Sequence, residues 1–157
     1  MAVALDLWET IAQEAADESR LWGEALKAEP EREPIFSTLG EERYAVGLET
    51  IYEGYLLHYG RPRLFEPADA DTALLLGDYL YAHGLVRVAE AGPVEAISDL
   101  AALISLCAQL RADGRPGDGE AWAATAATLG RGEEARLTWR PGPEAARALE
   151  LHARRVG

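Results

Sequence analysis

Lysine is almost missing from this chain: of its 15 basic residues only Lys27 is a lysine, and the others are arginines. Basic charge as a whole is scarce, with 15 Lys and Arg against 27 Asp and Glu and a formal net charge of −12. That balance excludes a phosphate backbone as partner and argues against electrostatic attachment to anionic lipid. Cysteine occurs once, at Cys107, so there is no internal disulfide and no cysteine-based metal site. Set in LISLCAQL, that thiol reads as a small buried hydrophobe. No apolar stretch approaches the roughly 20 residues of a membrane span, and no basic-then-apolar leader opens the sequence. The expectation is a soluble, cytoplasmic protein. Period-two alternation of β-branched residues is absent, which leaves no sheet to expect.

Catalytic signatures are missing too. His58, His83 and His152 fall on three separate segments with no HxxxH or ExxH pair, so a di-iron carboxylate bundle has no ligand set. No glycine-rich phosphate loop follows a strand and no GxSxG occurs. Ser37, Ser98 and Ser105 have no base nearby in sequence.

What is present is helical. At 157 residues and 48% hydrophobic content, the chain can build one compact core. Proline and glycine divide it into about five to six helices. The first runs from Ala4 to Ala28, where Leu5, Trp8, Ile11, Ala15, Trp22 and Leu26 recur mostly at helical spacing, and a loop over 29–39 carries EPEREP. The second begins near Gly40 or Glu41 and ends at Tyr59, because Pro62 and Gly60 interrupt it. The third covers Ala70 to Ala91 with Asp69 or Asp71 as N-cap. Gly92-Pro93 then turns the chain into a fourth helix over Val94 to Ala112, antiparallel to the third. After a loop at 112–119, residues 120–157 supply thinner, less strongly packed helices over Glu120–Leu129 and Pro143–Arg155, anchored by Trp122, Trp139 and Leu149. The fold class is all-α, a compact antiparallel bundle forming a single domain over 1–157.

The stretch GRPRLFEPADADTALLLGDYLYAHG, residues 60 to 84, places Gly77 and Asp78 at the centre of an apolar helix. A glycine there costs about 1 kcal/mol relative to alanine, and close approach of another helix compensates for it. Gly84 lies two turns on along the same face, and Gly47 and Gly54 are spaced likewise on the second helix, so facing glycine stripes are expected. A buried Asp78 needs a partner; Arg61, Arg63 or the tyrosines of the second helix are the candidates, which makes Gly77 and Asp78 structural residues.

This stretch resembles the segment that follows the first aspartate-rich motif of trans-polyprenyl diphosphate synthases. The turn Gly60-Arg61-Pro62, the run Ala73-Leu74-Leu75-Leu76-Gly77-Asp78 and the interval between them carry the likeness, which extends over residues 40 to 113. The resemblance implies an isoprenoid-synthase-like core, truncated after residue 113. It puts a degenerate metal motif at Glu49 and Glu53, with Thr50 where another carboxylate would stand, and diphosphate contacts at Arg61 and Arg63. Taken by themselves, as a pair one turn apart on a helix, the two glutamates read as solvated surface residues. No DDxxD occurs, so the second half of a Mg²⁺ site is not expected.

Three readings follow. The first is a non-catalytic small subunit or pseudoenzyme of a polyprenyl diphosphate synthase, setting product chain length through a hetero-oligomer interface at Tyr79, Leu80, Leu85 and Val88. The second is a helical interaction or scaffold protein with only architectural likeness. The third, an active enzyme, is the one reading that requires Mg²⁺; otherwise no metal or cofactor is expected. The partners implied are a second copy or a full-length prenyl synthase chain.

Overall fold

A computed structural model describes residues 6–157. Ala4 and Leu5, assigned above to the first helix, lie outside the described residues. Among the described residues there are eight α-helices and no strand: α1 (Leu7–Glu18), α2 (Arg20–Glu24), α3 (Ala45–Tyr59), α4 (Ala70–Ala91), α5 (Val94–Ala112), α6 (Asp118–Ala127), α7 (Glu133–Thr138) and α8 (Pro143–Val156). The all-α bundle is as expected. The helix count rises to eight for two local reasons. Ser19 adopts an extended conformation (φ −154°, ψ 135°) and splits the first helix, its hydroxyl accepting from the Leu21 amide to start α2. The segment after Gly132 closes a further short helix, α7, which buries none of its residues. Residues 37–39 and 42–44 form 3₁₀ turns, so α3 starts at Ala45 and not at Gly40.

α3 is the central rod. Every residue from Gly47 to Leu57 is buried, which is why its sequence shows tyrosine, leucine and isoleucine all around the helix and no polar stripe. On one side, Trp8 and Ile11 of α1 with Leu64, Phe65, Leu76 and Leu80 form a smaller core. On the other, Tyr52, Tyr55, Leu100, Leu103, Cys107 and Trp122 belong to the main one. α6 and α8 also enter this main core through Trp122, Ala126, Ala148 and Leu151. α7, by contrast, buries none of its residues.

α4 lies along α3 on facing glycines. A Cβ on Gly47 would sit 2.5 Å from Val88 Cγ2, one on Gly84 2.4 Å from Ile51 Cγ1, and one on Gly54 2.8 Å from the Gly77 carbonyl oxygen. None of these positions admits a side chain without moving a neighbour, so the two glycine stripes set the separation of the helices. Asp69 caps α4 by accepting from the Thr72 amide at 2.7 Å, while Asp71 occupies the first turn.

Candidate functional site

Glu49 and Glu53 sit one turn apart on α3 and are fully buried, not solvated. Between them lies the guanidinium of Arg63, delivered by the turn that ends α3 and itself fully buried. Arg63 Nη1 donates to Glu49 Oε1 at 2.6 Å and Nε donates to Glu53 Oε1 at 3.0 Å. The amides of Arg63 and Leu64 donate to Glu53 Oε2 at 2.9 and 2.7 Å. Those of Ile35 and Ser37 donate to Glu49 Oε2 at 3.0 and 3.2 Å. The Glu33 carbonyl accepts from Arg63 Nη1 at 2.8 Å, and the rings of Trp8 and Tyr52 lie 4.8 and 5.1 Å from the guanidinium carbon. Burial alone would lower the Arg63 pKa, but the two adjoining carboxylates hold it above its ordinary value.

All four carboxylate oxygens thus accept from N–H groups, and a fixed cation already stands between them. Mg²⁺ binds to oxygens that face an opening and keeps several waters. Glu49 and Glu53 offer neither, so these residues do not fit a metal. Among the described residues no group of three or more His, Cys, Asp or Glu is arranged to hold one. The arginines do not converge on a diphosphate site either. While Arg63 is sealed inside, Arg61 caps the end of α8, its amide donating to the Arg155 carbonyl at 2.9 Å and its guanidinium to the Arg154 carbonyl.

Gly77 and Asp78 have a simpler explanation than expected. A Cβ on Gly77 would meet His58 Nε2 at 2.7 Å, so the glycine makes room for that imidazole. Asp78 is not buried: its side chain is 64% exposed, and its one ionisable neighbour among the described residues is His58, 3.2 Å away and poorly aligned for a hydrogen bond. Arg61, Arg63 and the tyrosines do not hold it. Of the four residues read as an interface, Leu80 and Val88 lie in the chain's own core. Tyr79 stacks on Trp22 and His83, and Leu85 leans half-buried on the main core.

A second polar cluster escaped sequence reading because its members are far apart along the chain. Asp118, in the first turn of α6, accepts at Oδ2 from Tyr55 Oη at 2.6 Å, Arg111 Nη2 at 2.6 Å and His152 Nε2 at 3.0 Å. His152 Nδ1 in turn lies 2.7 Å from Tyr52 Oη. An ionised carboxylate only accepts, so Nε2 carries a proton, and in the neutral ring Nδ1 accepts from the Tyr52 hydroxyl. Partial burial would raise the Asp118 pKa, yet the bonds from His152, Tyr55 and Arg111 together hold it well below the usual carboxylate value of 3.8. Burial raises both tyrosines and pushes the Cys107 thiol up to about 12, leaving it inert.

The order acid–imidazole–hydroxyl has the look of a proton relay, but the hydroxyl at its end is closed off. Phe36 and Trp122 pack edge-on against the Tyr52 ring at 5.2 and 5.1 Å, and Tyr52 is fully buried. No reacting group could reach it. The cluster holds α8 and α6 against α3.

Asp99 performs a similar service for the chain after α6. It accepts from the Gly130 and Gly132 amides at 2.9 and 3.4 Å and pairs with Arg136 at 2.8 Å. A carboxylate within the apolar run of α5 was the sequence signal that could have revealed it. Glu14 of α1 likewise meets His83 and Arg87 of α4.

No family model matches the chain, and neither the curated proteins nor the solved structures contain a match. Among the described residues no helix is long and apolar enough to cross a membrane.

Proposed function

We propose that this chain is a non-catalytic helical protein that acts by association, as a small subunit partnering a full-length polyprenyl diphosphate synthase. One observation carries the non-catalytic half of this reading. Arg63 fills the space between Glu49 and Glu53, the positions where the resemblance puts the metal motif, and every oxygen there is bonded internally. A carboxylate pair spent on its own arginine has nothing left for a diphosphate-bound metal. The class of the partner rests on the resemblance over residues 40 to 113.

Co-expression with a long-chain synthase, followed by size exclusion and product analysis, tests both halves. The reading requires a stable hetero-complex whose product length differs from that of the synthase alone. The chain by itself should condense no allylic and isopentenyl diphosphates, and Mg²⁺ should leave its melting temperature unchanged. Mg²⁺-dependent condensation by the isolated chain would overturn the non-catalytic half. Failure to associate would remove the synthase as partner and leave the broader reading of a helical interaction protein.

A further inference from the structure

We infer that residues 133–140, α7 with the two residues after it, are a lid: a strap latched by Asp99 that swings away as a unit and uncovers an apolar cleft between α5 and α6. The inference is independent of the synthase reading and concerns the chain by itself.

The strap is attached at few points. α7 has six residues and buries none of them. The side chains of Thr138 and Arg140 donate only to carbonyls of the strap itself. Among the described residues, every hydrogen bond that leaves residues 132–141 for another element ends on the Asp99 carboxylate of α5. The donors are the Gly132 amide at 3.4 Å and Arg136 Nη1 at 2.8 Å. Trp139 leans half-buried on the main core, while Leu137 is 67% exposed. One carboxylate and one indole hold the segment down.

Both ends can turn. Gly132 has a φ of 91°, in the left-handed region, and a Cβ there would meet nothing within 4 Å. At the other end Arg140, Pro141, Gly142, Pro143 and Glu144 are all exposed. Gly130, by contrast, is wedged. Its amide donates to Asp99 at 2.9 Å, and a Cβ on it would come within 3.0 Å of the Tyr44 hydroxyl. The carboxylate keeps its bond to Gly130 when the strap leaves, and the hinge falls at Gly132.

The strap also stands off from what it covers. A cleft of about 310 Å³ lies between Leu103 and Leu106 of α5, Ala121 and Thr125 of α6, and Arg136 and Leu137 of the strap. A second, of about 270 Å³, lies between Ala123 of α6, Leu149 of α8, and Trp139 and Pro141. Glu120 and Ala124 of α6 border both, so lifting the strap joins them into one groove along α6. Elements packed for permanence leave no gaps of this size, and here the α6 side offers small alanines that do not fill them.

The test is native-state hydrogen exchange of the full chain, read by mass spectrometry on peptides from the strap, α5 and α6. The strap amides should exchange about 100-fold faster than those of α5 and α6 and depend little on sub-denaturing urea, because a local opening exposes little surface. Arg136→Met breaks the latch on a helix that buries no residue, so the core is untouched. It should speed strap exchange about tenfold, the loss of a charge-assisted bond, whereas Arg147→Met, on the solvent side of α8, should not. Uncovering is read separately. Thr125→Cys places a thiol on the covered face, where Thr125 is 1% exposed, and a small maleimide should label it faster once Arg136→Met is added. Peptide mapping distinguishes this thiol from the buried Cys107, which should stay unlabelled. Strap amides that exchange together with α5 and α6, at the same urea dependence, would overturn the inference by making α7 part of the global fold. Exchange indifferent to Arg136→Met would overturn it by removing Asp99 as the latch. Fast strap exchange with unchanged Thr125→Cys labelling would do so too, leaving a frayed surface helix that covers nothing.

Discussion

The two buried polar clusters on α3 are built from similar chemistry and differ in how the chain assembles them. In the first, Arg63 meets Glu53 only 10 residues away and Glu49 14 away, across the turn that ends the helix. In the second, Tyr55 reaches Asp118 over 63 residues and Tyr52 reaches His152 over 100. The first is sealed completely, and removal of its cation strands two carboxylates in a dry interior. The second keeps a carboxylate with 16% of its side chain exposed, so water can take over part of any bond that is lost. One is an internal fixture of a turn; the other fastens distant helices at the edge of the core. Tyr52 joins them, with its ring against Arg63 and its hydroxyl on His152.

The sharpest way to break this contrast is Arg63→Met. Stranding a buried charge costs roughly 3–5 kcal/mol, and urea unfolding should show a loss of that order. A loss under about 1 kcal/mol would mean that the carboxylates protonate or reach water easily, contrary to a sealed cluster. Next in size is the glycine seam. Gly84→Leu must displace Ile51 and the backbone of Gly47, and overpacking of this kind costs about 1–3 kcal/mol or more; a melting temperature equal to the parent's would show that α3 and α4 can move apart freely.

The open cluster should be milder and dependent on pH. Because the folded pKa of Asp118 lies below its ordinary 3.8, its contribution is fully present above that value and fades as pH falls through and below it. Asp118→Asn should cost about 1–3 kcal/mol at neutral pH by weakening three donors' bonds. Its stability should also fall less steeply than the parent's below pH 3.8. Parallel acid curves for the two proteins would refute the assignment. Smallest of all is Asp78→Ala. With an exposed carboxylate and a single imidazole neighbour, it should change stability by no more than about 0.5 kcal/mol. A larger drop in thermal unfolding would restore the expectation that Asp78 fixes helix register.

Legibility in the sequence follows the same division. Helix boundaries at Asp69, Gly92 and Pro93 are written locally, in caps and corners, and could be read without a structure. The glycine stripes were readable as well, since each repeats every seven residues on its own helix. Glu49 and Glu53 were visible as a pair, yet their burial was not, because the deciding residue, Arg63, read as a diphosphate contact or a partner of Asp78. Asp78 failed in the opposite direction. An apolar run on both sides suggested burial, but Leu74 and Leu75 are themselves exposed, and only the neighbouring helices determine which side of α4 faces outward. Asp118, His152 and Tyr55 left no signal at all. A hydrogen bond across a hundred residues has no period, and a single sequence contains nothing that pairs its ends.

The glycine seam also bears on the order in which the molecule forms. α3 and α4 are consecutive helices joined by a short connection, so their contacts close a small loop and lose little chain entropy in doing so. The bonds from α8 to Tyr52 close a loop several times longer. This predicts a folding nucleus at the α3–α4 hairpin, with α8 docking afterwards, to be checked by refolding and unfolding kinetics of the variants above. Changes at Gly84 would then appear chiefly as slower refolding, and changes at Asp118 as faster unfolding. In that sequence of events the seam where no side chain fits is what the rest of the protein folds around.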